Sequence, residues 1–137
     1  MADLSITASQ VQFVTGTKET LTAGTSASPG ELIRIDSNDA NQLKLGQANS
    51  AANASVYGIV LNPASDEQPC TVQKTGKVTI GAGASIVAGQ TYVCSTTAGK
   101  IALRTDLSSG SFVTSIGIGT TDNALLLNIY ASGTATT

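Results

Sequence analysis

The sequence predicts an all-β chain: a small β-sandwich or barrel-like domain with an extended N-terminal segment. Three observations carry this. Large apolar residues come in short clusters rich in Val and Ile, and no segment holds a 3.6-residue apolar period beside good helix formers. Turns rich in Gly, Asn, Asp and Ser separate the clusters at a spacing of about ten residues, the rhythm of a sandwich or barrel. With 137 residues the chain has the length of one domain, able to bury roughly two thirds of its unfolded surface.

The elements follow in chain order. Ile6 to Val14 carries β-branched and aromatic residues and reads as a strand. Glu31-Leu32-Ile33-Arg34-Ile35 is short and apolar-rich, and Leu43-Lys44-Leu45 alternates. Ala48 to Ala54 tolerates helix but has no large apolar residue to bury, so it reads as a loop, with at most a turn of helix. Val56 to Leu61 is a denser run around Gly58. Cys70 to Lys74 alternates and leads through Thr75-Gly76 into Lys77-Val78-Thr79-Ile80. The remaining strands are Thr91 to Ser95, Lys100 to Leu103, Phe112 to Ile118 and Ala124 to Tyr130. Turn chemistry agrees. Thr97-Ala98-Gly99 and Thr120-Thr121-Asp122-Asn123 join strand-like runs, and Asp106 to Gly110 is a longer connector. Pro29-Gly30 and Asn62-Pro63 punctuate the first half. The chain divides into residues 1–25, a β-rich body over 26–130 and a flexible tail over 131–137. Residues 1–25 read either as an arm that packs on a neighbour or as an ordinary first strand with a surface loop.

Composition excludes several kinds of chemistry. There is no His, so imidazole serves neither as general base nor as zinc ligand, and Ser-His-Asp and Cys-His catalysis are excluded. The net charge is −2 and the seven cationic residues are scattered, so no basic patch points to nucleic acid. No apolar run approaches a membrane-spanning length. The opening Met1-Ala2-Asp3-Leu4 lacks a cationic segment followed by an apolar run and does not read as a signal peptide. Cys70 and Cys94 are too few for a disulfide scaffold. They read as free thiols of a protein made in the cytoplasm, although they could meet if their strands pair.

Motif searches come back weak. Gly81-Ala82-Gly83 and Gly117-Ile118-Gly119 lack the third glycine of a dinucleotide fingerprint, since Ile86 and Asp122 stand there, and both read as bulges or tight turns. Thr75-Gly76-Lys77 and Ala98-Gly99-Lys100 lack the upstream glycine of a phosphate loop. Asp36-Ser37-Asn38-Asp39-Ala40-Asn41 is the best cation candidate, but Ala40 and Asn41 occupy the positions where a calcium loop needs an oxygen ligand and Gly, so it reads as a polar turn. Asp66-Glu67, between two prolines, reads as a solvated loop rather than a glycosidase pair. Asn53-Ala54-Ser55 is a chance sequon in a chain rich in Ser and Thr. No cofactor, no metal and no enzyme activity is expected, and the role these residues point to is structural or adhesive.

The second half carries a pattern. It runs through Val56-Tyr57-Gly58-Ile59-Val60, Gly76-Lys77-Val78 and Ala88-Gly89-Gln90-Thr91-Tyr92-Val93. It continues through Ala98-Gly99-Lys100-Ile101-Ala102, Asp106-Leu107 and Val113 to Gly119, then closes with Leu125 to Ile129 and Ser132-Gly133. Over about residues 56–133 this resembles the small β-rich capsid cement (head decoration) proteins of tailed bacteriophages. The late strand departs from the family pattern, with Gly119 where the pattern has Ala. The resemblance implies a barrel-like or sandwich module that assembles as a homotrimer on the capsid exterior of the virion, with the major capsid protein as partner. It implies no catalytic residue, no nucleic acid and no membrane. It also implies that the chain ends touch the shell, which makes Leu4, Ile6, Val11, Phe13 and Val14 the candidate capsid or trimer contacts; the alternative is a first strand in the protein's own core.

Two other roles compete. A different β-structural phage component (tail tube, fibre or adhesive surface module) suits the small-residue composition equally well, and would form rings or polymers by itself. A carbohydrate-binding module needs aromatic platforms, and only three Tyr and two Phe are available.

Overall fold

The computed structural model describes residues 3–136 and is all-β, with a single sheet curled into a half-barrel. The ten strands are β1 (Gln12–Phe13), β2 (Thr17–Thr22), β3 (Leu32–Asp36), β4 (Gln42–Leu45), β5 (Val56–Val60), β6 (Pro69–Thr79), β7 (Thr91–Cys94), β8 (Ile101–Leu103), β9 (Phe112–Gly119) and β10 (Ala124–Ala135). Helical residues among those described are three single 3-10 turns, at Ala8–Gln10, Ala82–Ala84 and Arg104–Asp106. The strand order is β4-β3-β5-β6-β10-β9-β7-β8, and every strand pairing is antiparallel.

The long strand β6 is the hub. Its first half pairs with β2 and, at Val72 and Gln73, with β5; its second half pairs with β1 and β10. The two arms of the sheet then curl towards each other. Their far ends meet through loop bonds: Leu32 N donates to Gly99 O at 2.9 Å, Gly99 N to Gly46 O at 2.7 Å and Ala48 N to Ser95 O at 2.9 Å.

The main core fills the inside of the curl. Leu32, Ile59, Val78, Ile80, Tyr92, Ile101, Ile116 and Leu125 are fully buried in it. Tyr92 spends its hydroxyl on the amide of Val87 at 2.8 Å, so its ring is buried with the polar end satisfied. A second, smaller core lies on the other face of β3, β5 and β6, built from Ala23, Ala27, Ile33, Leu43, Val60, Ala64, Cys70 and Val72. Consecutive residues Leu32 and Ile33 therefore serve different cores, as the period of two in a strand requires.

The structure departs from the sequence reading at four places. The two runs around Thr75-Gly76 are one strand, β6, because Gly76 takes a positive φ of 89° inside the strand instead of turning the chain. Strand β2 goes unnoticed in the sequence because it is a polar edge strand whose one large apolar residue is Leu21. Of Ile6 to Val14, only Gln12–Phe13 is strand, and a 3-10 turn precedes it. The stretch from Ala131, read as flexible tail, continues β10 to Ala135, and Thr136 N donates to Ser111 O at 2.8 Å. Met1, Ala2 and Thr137, the outer ends of the expected arm and tail, lie outside the described residues.

Candidate interaction surface

The face of the sheet opposite the main core carries a line of large apolar side chains. Leu126 on β10 faces Ile118 on β9 and Lys77 on β6 in register, and Ile118 faces Thr91 on β7. Val14 joins the line at the other end, its amide donating to Lys77 O at 3.1 Å. Leu126 and Ile118 are each 49% exposed, Val14 44% and Val87, in the loop before β7, 47%. Val87 does not belong to this line: its carbonyl lies on the core side of Gly119, where a Cβ would stand 2.4 Å from it, opposite the face that carries Ile118. Further along β10, Tyr130 is 69% exposed opposite Ser115.

Strand alternation places these residues outside. Leu125 and Leu127 point into the core, so Leu126 between them must point out. A central strand with a solvated outer face ordinarily carries Thr, Ser or a charge at such a position. Here Leu and Ile stand side by side on neighbouring strands. The one charged group within the line is Lys77, and Asp122 neutralises it in an ion pair. The Lys77 ammonium and the Thr120 hydroxyl both donate to Asp122 and hold its carboxyl below the usual carboxylate range. The result is a neutral line across four strands, apolar on the two neighbouring strands β9 and β10 and, beyond Lys77, at Val14.

Of the five residues singled out from sequence, Val14 alone stands on this surface. Val11 is buried in the main core at 8% exposure, and Leu4 and Ile6 pack partly buried against it. Phe13 is half-buried under the Lys18 ammonium, 4.5 Å from its ring centroid. The other strip residues, Ile118 and Leu126, escaped the sequence reading. The triplet Leu125-Leu126-Leu127 carried a signal, because a strand with one buried face cannot bury three consecutive leucines.

The remaining sequence candidates take structural places. The Asp36–Asn41 segment is a turn in which Asp36 caps the Asn38 amide at 3.0 Å, Asp39 pairs with Lys44 at 2.9 Å, and Ala40 and Asn41 adopt positive φ. Glu67 accepts a bond from Gln42 at 3.0 Å. Among the described residues, no three His, Cys, Asp or Glu side chains gather as a metal site. Cys70 and Cys94 are free and buried in different cores; burial raises both thiols, Cys94 to about 12. A scan of protein-family models and a search of curated proteins find no match for the chain.

Proposed function

We propose that this chain is a structural virion protein that binds the outer surface of an expanded phage capsid as a trimer and stabilises that shell. The observation that carries the reading is the line of Val14, Leu126 and Ile118 on the outer face of an all-β domain. Large neighbouring apolar groups left on a sheet face favour a protein partner that covers them. The resemblance over residues 56–133 names the kind of partner. Low charge and small side chains suit close contact between many identical copies, since few desolvated charges oppose it.

The mechanism is avidity and linkage. Each protomer of a trimer contributes a weak apolar contact, and three linked contacts hold far more tightly than one. A ligand that binds the expanded shell and not its precursor stabilises the expanded shell by mass action.

Co-sedimentation with expanded capsids and, separately, with precursor shells tests this. Saturable binding to expanded capsids alone is expected. Leu126→Ser with Ile118→Ser removes two half-exposed side chains, each contributing about 1 kcal/mol if the contact buries the remainder. Affinity per protomer then falls on the order of 30-fold, while the circular dichroism spectrum is unchanged. No binding to either particle refutes the reading and brings forward the self-assembling tail or fibre component, which polymerises without capsids.

A further inference from the structure

The segment Asp3–Ile6 is a strap laid along the outer edge of β8. Leu4 N donates to Ile101 O at 2.7 Å, Asp3 faces Ala102 in an antiparallel bridge, and the Ser95 hydroxyl donates to the Asp3 carboxylate. Ile6 sits over Gly30, where a Cβ would stand 2.6 Å from its Cγ2, so the glycine provides a notch for this side chain. Between the strap and Pro29, Gly30, Gly99 and Lys100 runs a cleft of about 270 Å³. The strap thus presents an acid first, then apolar residues two apart, to groups that belong to the rest of the domain.

The strap is joined to the domain by a hinge. Thr7 (φ −93°, ψ 117°) and Val11 (φ −81°, ψ 123°) are both extended, and the turn Ala8–Gln10 between them has no buried residue and no side-chain cap. Straightening it breaks the bonds Gln10 N to Thr7 O and Val11 N to Ala8 O and lifts the Gln10 side chain from Gly81, where a Cβ would stand 2.6 Å from Gln10 Cβ; it uncovers no buried side chain of the turn itself. Val11 remains anchored in the main core. A straightened hinge makes one extended arm that projects from the body, with its own socket left open.

We infer that the strap exchanges between copies, so that Asp3–Ile6 of one chain fills the β8-edge socket of a neighbouring copy. Every contact of the strap is remade in the neighbour, so exchange costs little beyond the hinge turn and is driven by local concentration. Thr7 to Gln10 reach about 14 Å when extended, which limits exchange to copies in direct contact. This inference does not depend on the capsid reading: it needs only that copies pack side by side.

The test mixes two full-length single variants, Asp3→Cys and Ser95→Cys, under mild oxidation. The native cysteines are fully buried, so the unmodified chain serves as the uncrosslinked control. At roughly millimolar chain, the scale of short-tether effective concentrations, a covalent heterodimer is expected on a denaturing gel run without reductant. Tenfold and hundredfold dilution before mixing should remove it. Absence of the heterodimer at every concentration, while a chain carrying both substitutions closes on itself as a monomer, overturns the inference. A second arm needs no cysteine. Ile6→Ser should lower self-association in sedimentation at least several-fold with the circular dichroism spectrum kept; unchanged association counts against exchange. Both arms use the chain alone, so failed capsid binding and failed exchange are separate results.

Discussion

Replacing Gln73 should cost more than any other single polar substitution in this domain. Its side chain is fully buried where β1, β2 and β6 cross, and its Nε2 donates to Thr15 O at 2.9 Å and to Thr75 O and Lys77 O at 3.0 Å each. The amide has two protons for three carbonyls, so Gln73→Leu removes about two full hydrogen bonds, each contributing about 1 kcal/mol net. It also strips partners from buried carbonyls, costing about 1–3 kcal/mol more. One term runs the other way. Gln73 Oε1 has no partner, and Leu relieves that penalty. The balance is a loss of about 2–4 kcal/mol, or roughly 6–15 °C in melting temperature for a domain of this size. Gln73→Glu sharpens the test. A carboxylate facing three carbonyls is favoured only when protonated, so the folded state holds its proton to higher pH than the unfolded chain. Between the two pKa values the folded state binds more protons, and stability therefore falls as pH rises, by about 1.4 kcal/mol per unit. Thermal melts of both variants between acid and neutral pH read this directly. A Leu variant within about 0.5 kcal/mol of the native chain, or a Glu variant whose melting temperature rises with pH relative to it, would refute the account.

Three further outcomes follow from the same kind of reasoning. Gly16 and Gly76 pack backbone to backbone with positive φ, and a Cβ on either would stand about 2 Å from a carbonyl oxygen (1.9 Å from Thr75 O, 2.1 Å from Thr15 O), so Gly76→Ala should cost about 1–3 kcal/mol in backbone strain before the clash, read as a loss of soluble folded protein or a large drop in melting temperature. Burial pushes Cys94 up to about 12 and raises Cys70 above the ordinary thiol value, so the unfolded chain ionises first: stability should fall as pH rises past about 9, Cys94→Ala should flatten that alkaline limb, and a thiol reagent should react only after denaturation. The Asp122 carboxyl is held below the ordinary carboxylate value by Lys77 and Thr120, so its small contribution is present above the unfolded value and lost as pH falls through the folded one; the melting temperatures of Asp122→Asn and the native chain should converge in acid, and a difference that persists there counts against the ion pair.

The fold class was legible because it rests on local signals. β-branched clusters between Gly, Asn and Asp turns need no knowledge of what lies beside them, and every strand but β2 overlaps a run read this way, with two of those runs joined as one strand. What escaped depends on distant partners. Gly76 reads as a turn residue from its neighbours Thr75 and Lys77. Only the approach of Gly16, sixty positions earlier in the chain, makes it a mid-strand contact point. β2 escaped for a related reason: its Thr and charged residues satisfy an edge position, and its register is set by β6, including hydroxyl pairs Thr20–Thr71 at 2.8 Å and Thr17–Thr75 at 2.9 Å.

The candidate surface was less legible, and the cause is the same periodicity that reveals the fold. Alternation shows that one face of a strand is apolar, but not which apolar residue points outward when the run is unbroken. Ile116 and Ile118 have the same parity, yet one is buried and the other half-exposed, because the register of β9 shifts against β7 between Tyr92 and Val93. An extra residue at that point turns Ile118 to the surface beside Leu126. Five apolar residues near the N-terminus formed the obvious candidates, but Val11 is needed by the main core, Leu4 and Ile6 by the strap, Phe13 lies half-buried under Lys18, and Val14 alone was left for the strip. A bulge of one residue in β9 thus decides where this domain presents Ile118 and, beside it, Leu126.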